Sequence, residues 1–262
     1  MSVIRPIPEE YLQPCDAPGR LEELTIPDFS PAMVYLPWGY DESDKRFNTF
    51  YLMHAGGGNQ RSFFSEDGRF KNLLDHMIRD KIMRPLMVIT PTYYPPGHNG
   101  DGVRYTAEAV KEFGPILINR ILPLVDETYR TKRNRKSRGI GGFSMGAVTT
   151  WYVMLAGTHL FYWFMPMSGD CWICGERGGN RHPRQTAALM CDTLLGRDFY
   201  LHVLTGDQDI AYPNLNPQMK AMKEFSHVFA FGKNTRYSIL KGGVNDYPDI
   251  YRYIFNALPD FF

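Results

Sequence analysis

The sequence predicts an α/β fold in which one mostly parallel sheet is covered by helices on both faces. Three observations predict it. Short apolar runs rich in β-branched and aromatic residues alternate along the chain with longer segments of helical periodicity. Runs such as Leu86–Thr90 carry no polar alternation, as strands buried on both faces of a parallel sheet require. Glycine- or proline-rich loops follow these runs at their carboxyl ends, where open α/β sheets place ligands.

In chain order, residues 1–20 form a Pro-rich polar arm, and residues 21–262 are long enough for one good-sized domain. Leu21–Ile26 and Ala32–Leu36 read as a hairpin-like pair of strands, and Phe47–Met53 as a central strand. Arg69–Arg79 places Leu73, Leu74, Met77 and Ile78 on one helical face. Leu86–Thr90 is the next strand. A Pro, Gly and Tyr loop over 92–101 follows, in which Tyr93 and Tyr94 either line a pocket or pack at the surface. Thr106–Tyr129 is helical with interruptions at Pro115 and Pro123. The basic run from Arg130 to Arg138 has no interleaved aromatics and reads as a solvated connection. Strands are expected at Arg138–Phe143, Tyr162–Pro166, Tyr200–Leu204 and Tyr237–Leu240. Helices are expected at Ala147–Leu155, Thr186–Leu194, Gln218–Phe225 and near Pro248–Ala257. Glu176–Arg184 reads as a mobile Gly/Arg segment.

Composition narrows the function. A formal net charge of +1 gives no pull towards polyanions, so no nucleic-acid partner is expected. No apolar run reaches spanning length, and Met1–Leu12 lacks an apolar signal core. A chain like this is expected in the cytoplasm, or outside the cell with a signal or adjoining modules removed. Cys171-Trp-Ile-Cys174 has C-x-x-C spacing, but no second pair completes a zinc site, so neither metal nor cofactor is expected. An aromatic content of 14% suits either carbohydrate and aromatic ligands or a large core. No protein partner is predictable.

The chemistry centres on Gly142-Phe143-Ser144-Met145-Gly146, a G-x-S-x-G pattern between a strand and a helix. Such a nucleophile elbow holds its serine on a tight turn. The glycines admit the neighbouring backbone, and the N–H of Met145 at the helix start is an oxyanion-hole candidate. The second oxyanion N–H is expected in His54-Ala55-Gly56-Gly57-Gly58-Asn59, from Ala55 or Gly56. Other readings of that cluster are a phosphate loop, which would need a following Gly-Lys-Ser/Thr, and a flexible turn. His54 precedes the glycines and is expected to pack beneath the loop. An α/β-hydrolase presents its triad in the order serine, acid, histidine. Asp209 is the best acid and Asp207 the second. After the last strand, where the base belongs, the chain reads Gly242-Gly243-Val244-Asn245-Asp246, with no histidine beyond His227. His227, His182 and His98 have no spacing that recommends them as substitutes.

Further stretches extend the pattern over nearly the whole chain. They include Tyr51-Leu52-Met53-His54, the elbow continuing into Thr149-Thr150-Trp151-Tyr152, and Phe164-Met165-Pro166-Met167-Ser168-Gly169-Asp170. Thr205-Gly206-Asp207-Gln208-Asp209-Ile210-Ala211-Tyr212 follows, with Asn214, Asn216 and Pro217, then Tyr253-Ile254 and Ala257-Leu258-Pro259. On these residues the chain resembles the feruloyl and acetyl-xylan esterases of carbohydrate esterase family 1. The resemblance implies an α/β-hydrolase fold, Ser144 as nucleophile and Asp209 as acid. It also places the family's base histidine at Asn245. The implied ligand is a xylan-derived oligosaccharide or hydroxycinnamate ester, with Asp170, Trp172, Tyr212 and Tyr247 as candidate contacts; for the aromatics among them, packing is an equal alternative. An asparagine amide cannot shuttle a proton near neutral pH. The expectation is therefore an ester hydrolase of cell-wall polysaccharide with impaired turnover, or a non-catalytic relative that binds feruloylated or acetylated xylan.

Overall fold

The computed structural model describes residues 4–98 and 103–262. The end of the expected 92–101 loop and the first three residues of the arm lie outside the described residues. Eight strands form one sheet in the order β1-β2-β4-β3-β5-β6-β7-β8. β1 (Arg20–Leu24) and β2 (Ala32–Leu36) are the expected antiparallel pair, and β2 also runs antiparallel to β4 (Leu86–Thr90). From β4 onwards every pairing is parallel, through β3 (Asn48–Met53), β5 (Arg138–Phe143), β6 (Trp163–Met167), β7 (Tyr200–Gly206) and β8 (Thr235–Leu240). After β3 the chain turns outward to β4 and then returns to lay β5 on the other side of β3. The strand order thus switches at β3 and β5, and it is outside the carboxyl ends of strands at such a switch that open α/β sheets place their binding crevice.

The period-2 geometry of a strand divides the core in two. On β3, Tyr51 and Met53 face one layer, which includes Trp151 and Phe161, while Phe50 and Leu52 face the other. The first layer is closed by α2 (Val103–Ile116), α3 (Leu122–Thr128), α4 (Met145–Gly157), α6 (Pro183–Leu194) and α7 (Tyr212–Met222). The second is closed by α1 (Arg69–Arg79) and α8 (Tyr247–Ala257). Tyr51 meets Phe161 edge-on at 5.6 Å, and each fully buried ring of this kind contributes roughly 2–3 kcal/mol. The arm packs on α1: Tyr11 stacks on His76 at 5.0 Å and donates to Asp80 at 2.5 Å.

Four sequence expectations need correction. The segment expected to be mobile at 176–184 contains a short helix, α5 (Gly178–Arg181), and α6 begins at Pro183 rather than Thr186, because proline suits a first helical turn. α7 begins at Tyr212, six residues before the expected Gln218, since Pro213 also sits in a first turn and Pro217 is accommodated inside the helix. The basic run is a solvated connection only in its middle, where Lys132, Arg133 and Lys136 are exposed. Arg138 is buried and paired with Asp126, Arg130 lies 3.9 Å over the Tyr40 ring, and Arg133 and Arg135 donate to the carbonyls of Asp126 and Thr158. The interruption expected near Pro115 and Pro123 is a π-helical turn over Leu117–Ile121. No described helix is long and apolar enough to cross a membrane.

Candidate active site

β5 ends at Phe143 and α4 begins at Met145, so Ser144 alone makes the turn, with φ 54° and ψ −112°. This left-handed backbone costs a non-glycine residue on the order of 1–3 kcal/mol. The surroundings over-determine it. Ser144 N donates to Met167 O at 2.9 Å, its carbonyl accepts from Ala147 N at 2.9 Å, and its hydroxyl makes no cap bond to the helix. Ser144 and Met145 are half-buried. Met145 is the first helical residue, so its N–H has no intrahelical acceptor. The two elbow glycines are sterically required. A Cβ on Gly142 would lie 2.3 Å from Gly146 O, and one on Gly146 would lie 2.3 Å from Met53 O.

That contact docks the elbow on the end of β3, beside the glycine loop. A Cβ on Gly56 would stand 3.1 Å from Met145 Cγ, so the loop and the helix start face one another. His54 is fully buried below the loop, as expected. Its Nδ1 lies 2.7 Å from Ala55 O and its Nε2 2.8 Å from Thr92 Oγ1. Burial drives its pKa down to about 4, against the backbone bond to Ala55, and burial does the same to His202 inside β7. Both rings are neutral in the folded chain yet take up a proton near pH 6.5 once unfolded. Their contribution to stability is complete above that pH and is lost as pH falls from 6.5 towards 4, by up to about 1.4 kcal/mol per pH unit for each ring. The urea midpoint is accordingly expected to fall between pH 7 and pH 5. A profile flat over that range would contradict the neutral, buried assignment.

At the far side of the crevice, the loops after β7 and β8 are locked together. Asp207 N donates to Leu240 O at 3.1 Å, and Asp207 Oδ1 accepts from Gly242 N at 2.6 Å. Gln208 N donates to Gly243 O at 3.0 Å. Asp207 is thereby committed to the turn. Asp209 is not: its buried Oδ1 accepts from Ala211 N at 2.7 Å and from Asn245 Nδ2 at 2.9 Å. Its Oδ2 has no protein partner among the described residues. Asn245 is itself held in place. Val244 N donates to Asp249 Oδ2 at 2.8 Å, and Asp246 caps α8 through Asp249 N at 2.9 Å.

The Esterase family model matches residues 26–210 of this chain. The chain is 36% identical over 275 aligned residues to the endo-1,4-beta-xylanase Y of Acetivibrio thermocellus, an alignment covering 98% of the chain and 24% of that protein. It also fits a solved serine-to-alanine mutant of the feruloyl esterase module from Clostridium thermocellum, complexed with sinapinate. That match has TM-score 0.83 and 34% identity, and covers 100% of this chain and 94% of the other. The chain belongs to the Esterase family. A CE1 ferulic acid esterase from Anaeromyces mucronatus, complexed with ferulic acid, shares the fold at TM-score 0.75 and 18% identity, covering 100% of this chain and 98% of that one. The chain spans about a quarter of the length of the curated relatives it matches.

Among the described residues, Asp209 bonds through its side chain to Ala211 N and Asn245 Nδ2, and the histidines named as substitutes make other contacts. His227 Nε2 lies 3.3 Å from Cys191 Sγ, His98 lies tilted against Tyr105 at 5.1 Å, and His182 is the N-terminal flank of α6. The candidate substrate contacts fall into two groups. Asp170 is buried and spoken for: Trp172 Nε1 donates to its Oδ1 at 3.0 Å and Gly179 N to its Oδ2 at 2.8 Å. Burial raises the Asp170 pKa, opposed by those two donors. Asp170 therefore orients Trp172, which remains half-buried. Tyr212 opens α7 directly after the acid loop and is also half-buried. Tyr247 meets Phe143 and Phe63 edge-on, each at 5.2 Å, and borders a cavity of about 550 Å³ with Tyr251, Ser62 and Arg252.

Tyr93 and Tyr94 neither line a pocket nor pack at the surface; both are buried beneath the glycine loop. Tyr93 donates to Ala55 O at 2.8 Å, and Gly57 N donates to Tyr94 Oη at 3.3 Å. Nothing in their spacing announces this, because the contact depends on how β4 lies beside β3. Among the described residues no cluster of histidine, cysteine, aspartate and glutamate is placed to hold a metal. Burial pushes the Cys171 thiol up to about 12, which leaves it protonated.

Proposed function

We propose that this chain is a serine hydrolase of hydroxycinnamoyl esters on plant cell-wall xylan, with turnover slowed by Asn245 at the base position. The observation that carries the reading is the 2.9 Å bond from Asn245 Nδ2 to Asp209 Oδ1 on a loop built to deliver a base. A neutral histidine in a triad donates one N–H to the acid and offers its other nitrogen to the serine. Asn245 reproduces the donation, and its Oδ1 can accept from a hydroxyl, but an amide oxygen does not take up a proton at neutral pH. Ser144 Oγ would attack the ester carbonyl while the Met145 N–H and the glycine loop hold the oxyanion. Loss of the Oγ proton and its delivery to the leaving alcohol would have no strong base to serve them. Hydroxycinnamate is favoured as the acyl group because relatives of this chain were solved with sinapinate and ferulic acid.

A second reading is that the crevice binds feruloylated xylan without cleaving it. The bonded Asp209–Asn245 pair favours it, because it leaves the crevice formed and the acid engaged while removing the base. Two measurements separate the readings: ferulate release from methyl ferulate, and calorimetric binding of a feruloylated arabinoxylan oligosaccharide. The hydrolase reading expects slow release that Ser144→Ala abolishes. Binding with no release above the Ser144→Ala background would support the second reading. Release at an ordinary enzyme rate, tens per second, would overturn the assignment of Asn245 to the base position.

A further inference from the structure

The carbonyl of Ala55 is the most heavily used acceptor in the glycine loop. It receives Gly58 N at 3.1 Å, Tyr93 Oη at 2.8 Å and His54 Nδ1 at 2.7 Å. A carbonyl oxygen has two lone pairs, so three donors hold its direction closely. In a trans peptide the N–H of the next residue points opposite to the carbonyl. Fixing Ala55 C=O towards the buried His54–Tyr93 layer therefore turns the Gly56 N–H outward. Gly56 itself stands against the Met145 side chain, and the Met145 N–H, first in the helix, has no intrahelical acceptor.

We propose that His54 and Tyr93 are positioning residues which, by clamping the Ala55 carbonyl, make the Gly56 N–H the second donor of the oxyanion hole. The assignment rests on the esterase reading above. Because Ala55 O can only accept, His54 must carry its proton on Nδ1, and Nε2 is left to accept from Thr92 Oγ1 at 2.8 Å. Thr92 Oγ1 in turn accepts from Tyr94 N at 3.1 Å. The bonds run in one sense, from Tyr94 N–H through Thr92 and His54 to Ala55 C=O, and each polarises the next. All of the fasteners except His54 and Gly58 come from the segment after β4. The sheet neighbour of β3 thus sets the geometry of a loop that β3 delivers.

The test uses the Asn245→His chain, in which a base is present, carrying Tyr93→Phe, His54→Ala or His54→Asn. The probe is p-nitrophenyl methylphosphonate. Ser144 Oγ bonds to phosphorus, nitrophenolate leaves with the electron pair of the broken P–O bond, and the Oγ proton passes to the introduced histidine. The phosphoryl oxygen gains charge in the oxyanion hole. Tyr93→Phe and His54→Ala are expected to slow phosphonylation by about 10- to 100-fold while the Kd for methyl ferulate changes less than about twofold. His54→Asn, which keeps a donor where Nδ1–H stood, is expected to recover most of the rate. Rates unchanged in all variants, or a matched loss of rate and ground-state affinity that His54→Asn does not repair, would overturn the proposal. Absence of any Ser144 adduct in Asn245→His itself would overturn the esterase reading and this assignment with it, which the intact mass would reveal.

Discussion

Replacing Asn245 with histidine is expected to raise kcat/KM for methyl ferulate by about 10³- to 10⁵-fold, since losing a triad member in serine hydrolases costs rates of this order. The surroundings favour the gain. The loop carrying residue 245 is held by Val244 N on Asp249 and by the Asp246 cap on α8, and neither contact involves the side chain being replaced. Asp209 Oδ1 already accepts an N–H from residue 245, so an imidazole Nδ1–H inherits an existing partner and the correct tautomer. In this background Asp209→Asn is expected to return most of the gain, because the ring would lose the acceptor that orients it. Ferulate release followed by absorbance checks both statements. If Asn245→His binds methyl ferulate as tightly as the parent yet releases no more ferulate, a missing base is not what limits this crevice.

Much of this site was legible in the sequence because its parts are local. Ser144, Gly142 and Gly146 are specified by one turn, and the positions of Asp209 and Asn245 by the loops after the last two strands. Arg69–Arg79 matched to the residue because its apolar stripe is unbroken by proline. What escaped was non-local or hidden by an ambiguous signal. The helix expected from Gln218 begins at Tyr212, because Pro213 falls in the first turn, where proline costs little, while Pro217 lies inside the helix. The basic run reads as surface until the fold brings Asp126 and the ring of Tyr40 beneath it. Tyr93 shows no function until β4 is laid against β3 and its hydroxyl reaches Ala55 O.

Gly146→Ala is expected to destabilise the chain by about 2–4 kcal/mol and to lower the activity of the Asn245→His form at least about 100-fold. The added Cβ would lie 2.3 Å from Met53 O and 2.7 Å from His54 O, and both atoms are backbone. No rotamer change can relieve such a clash, so α4 must move away from the end of β3. That movement separates Ser144 and Met145 from the glycine loop, which is the distance the oxyanion chemistry depends on. Gly114 supplies the control. It lies inside α2 with nothing within 4 Å of a built Cβ, so Gly114→Ala is expected to stabilise by about 0.5–1 kcal/mol through helix propensity and to leave activity unchanged. Urea midpoints and ferulate release for the two variants would then move in opposite directions or not together. Similar small effects from both would mean that the elbow tolerates a gap between helix and strand, and that its glycines are not what fixes Ser144 against the oxyanion loop.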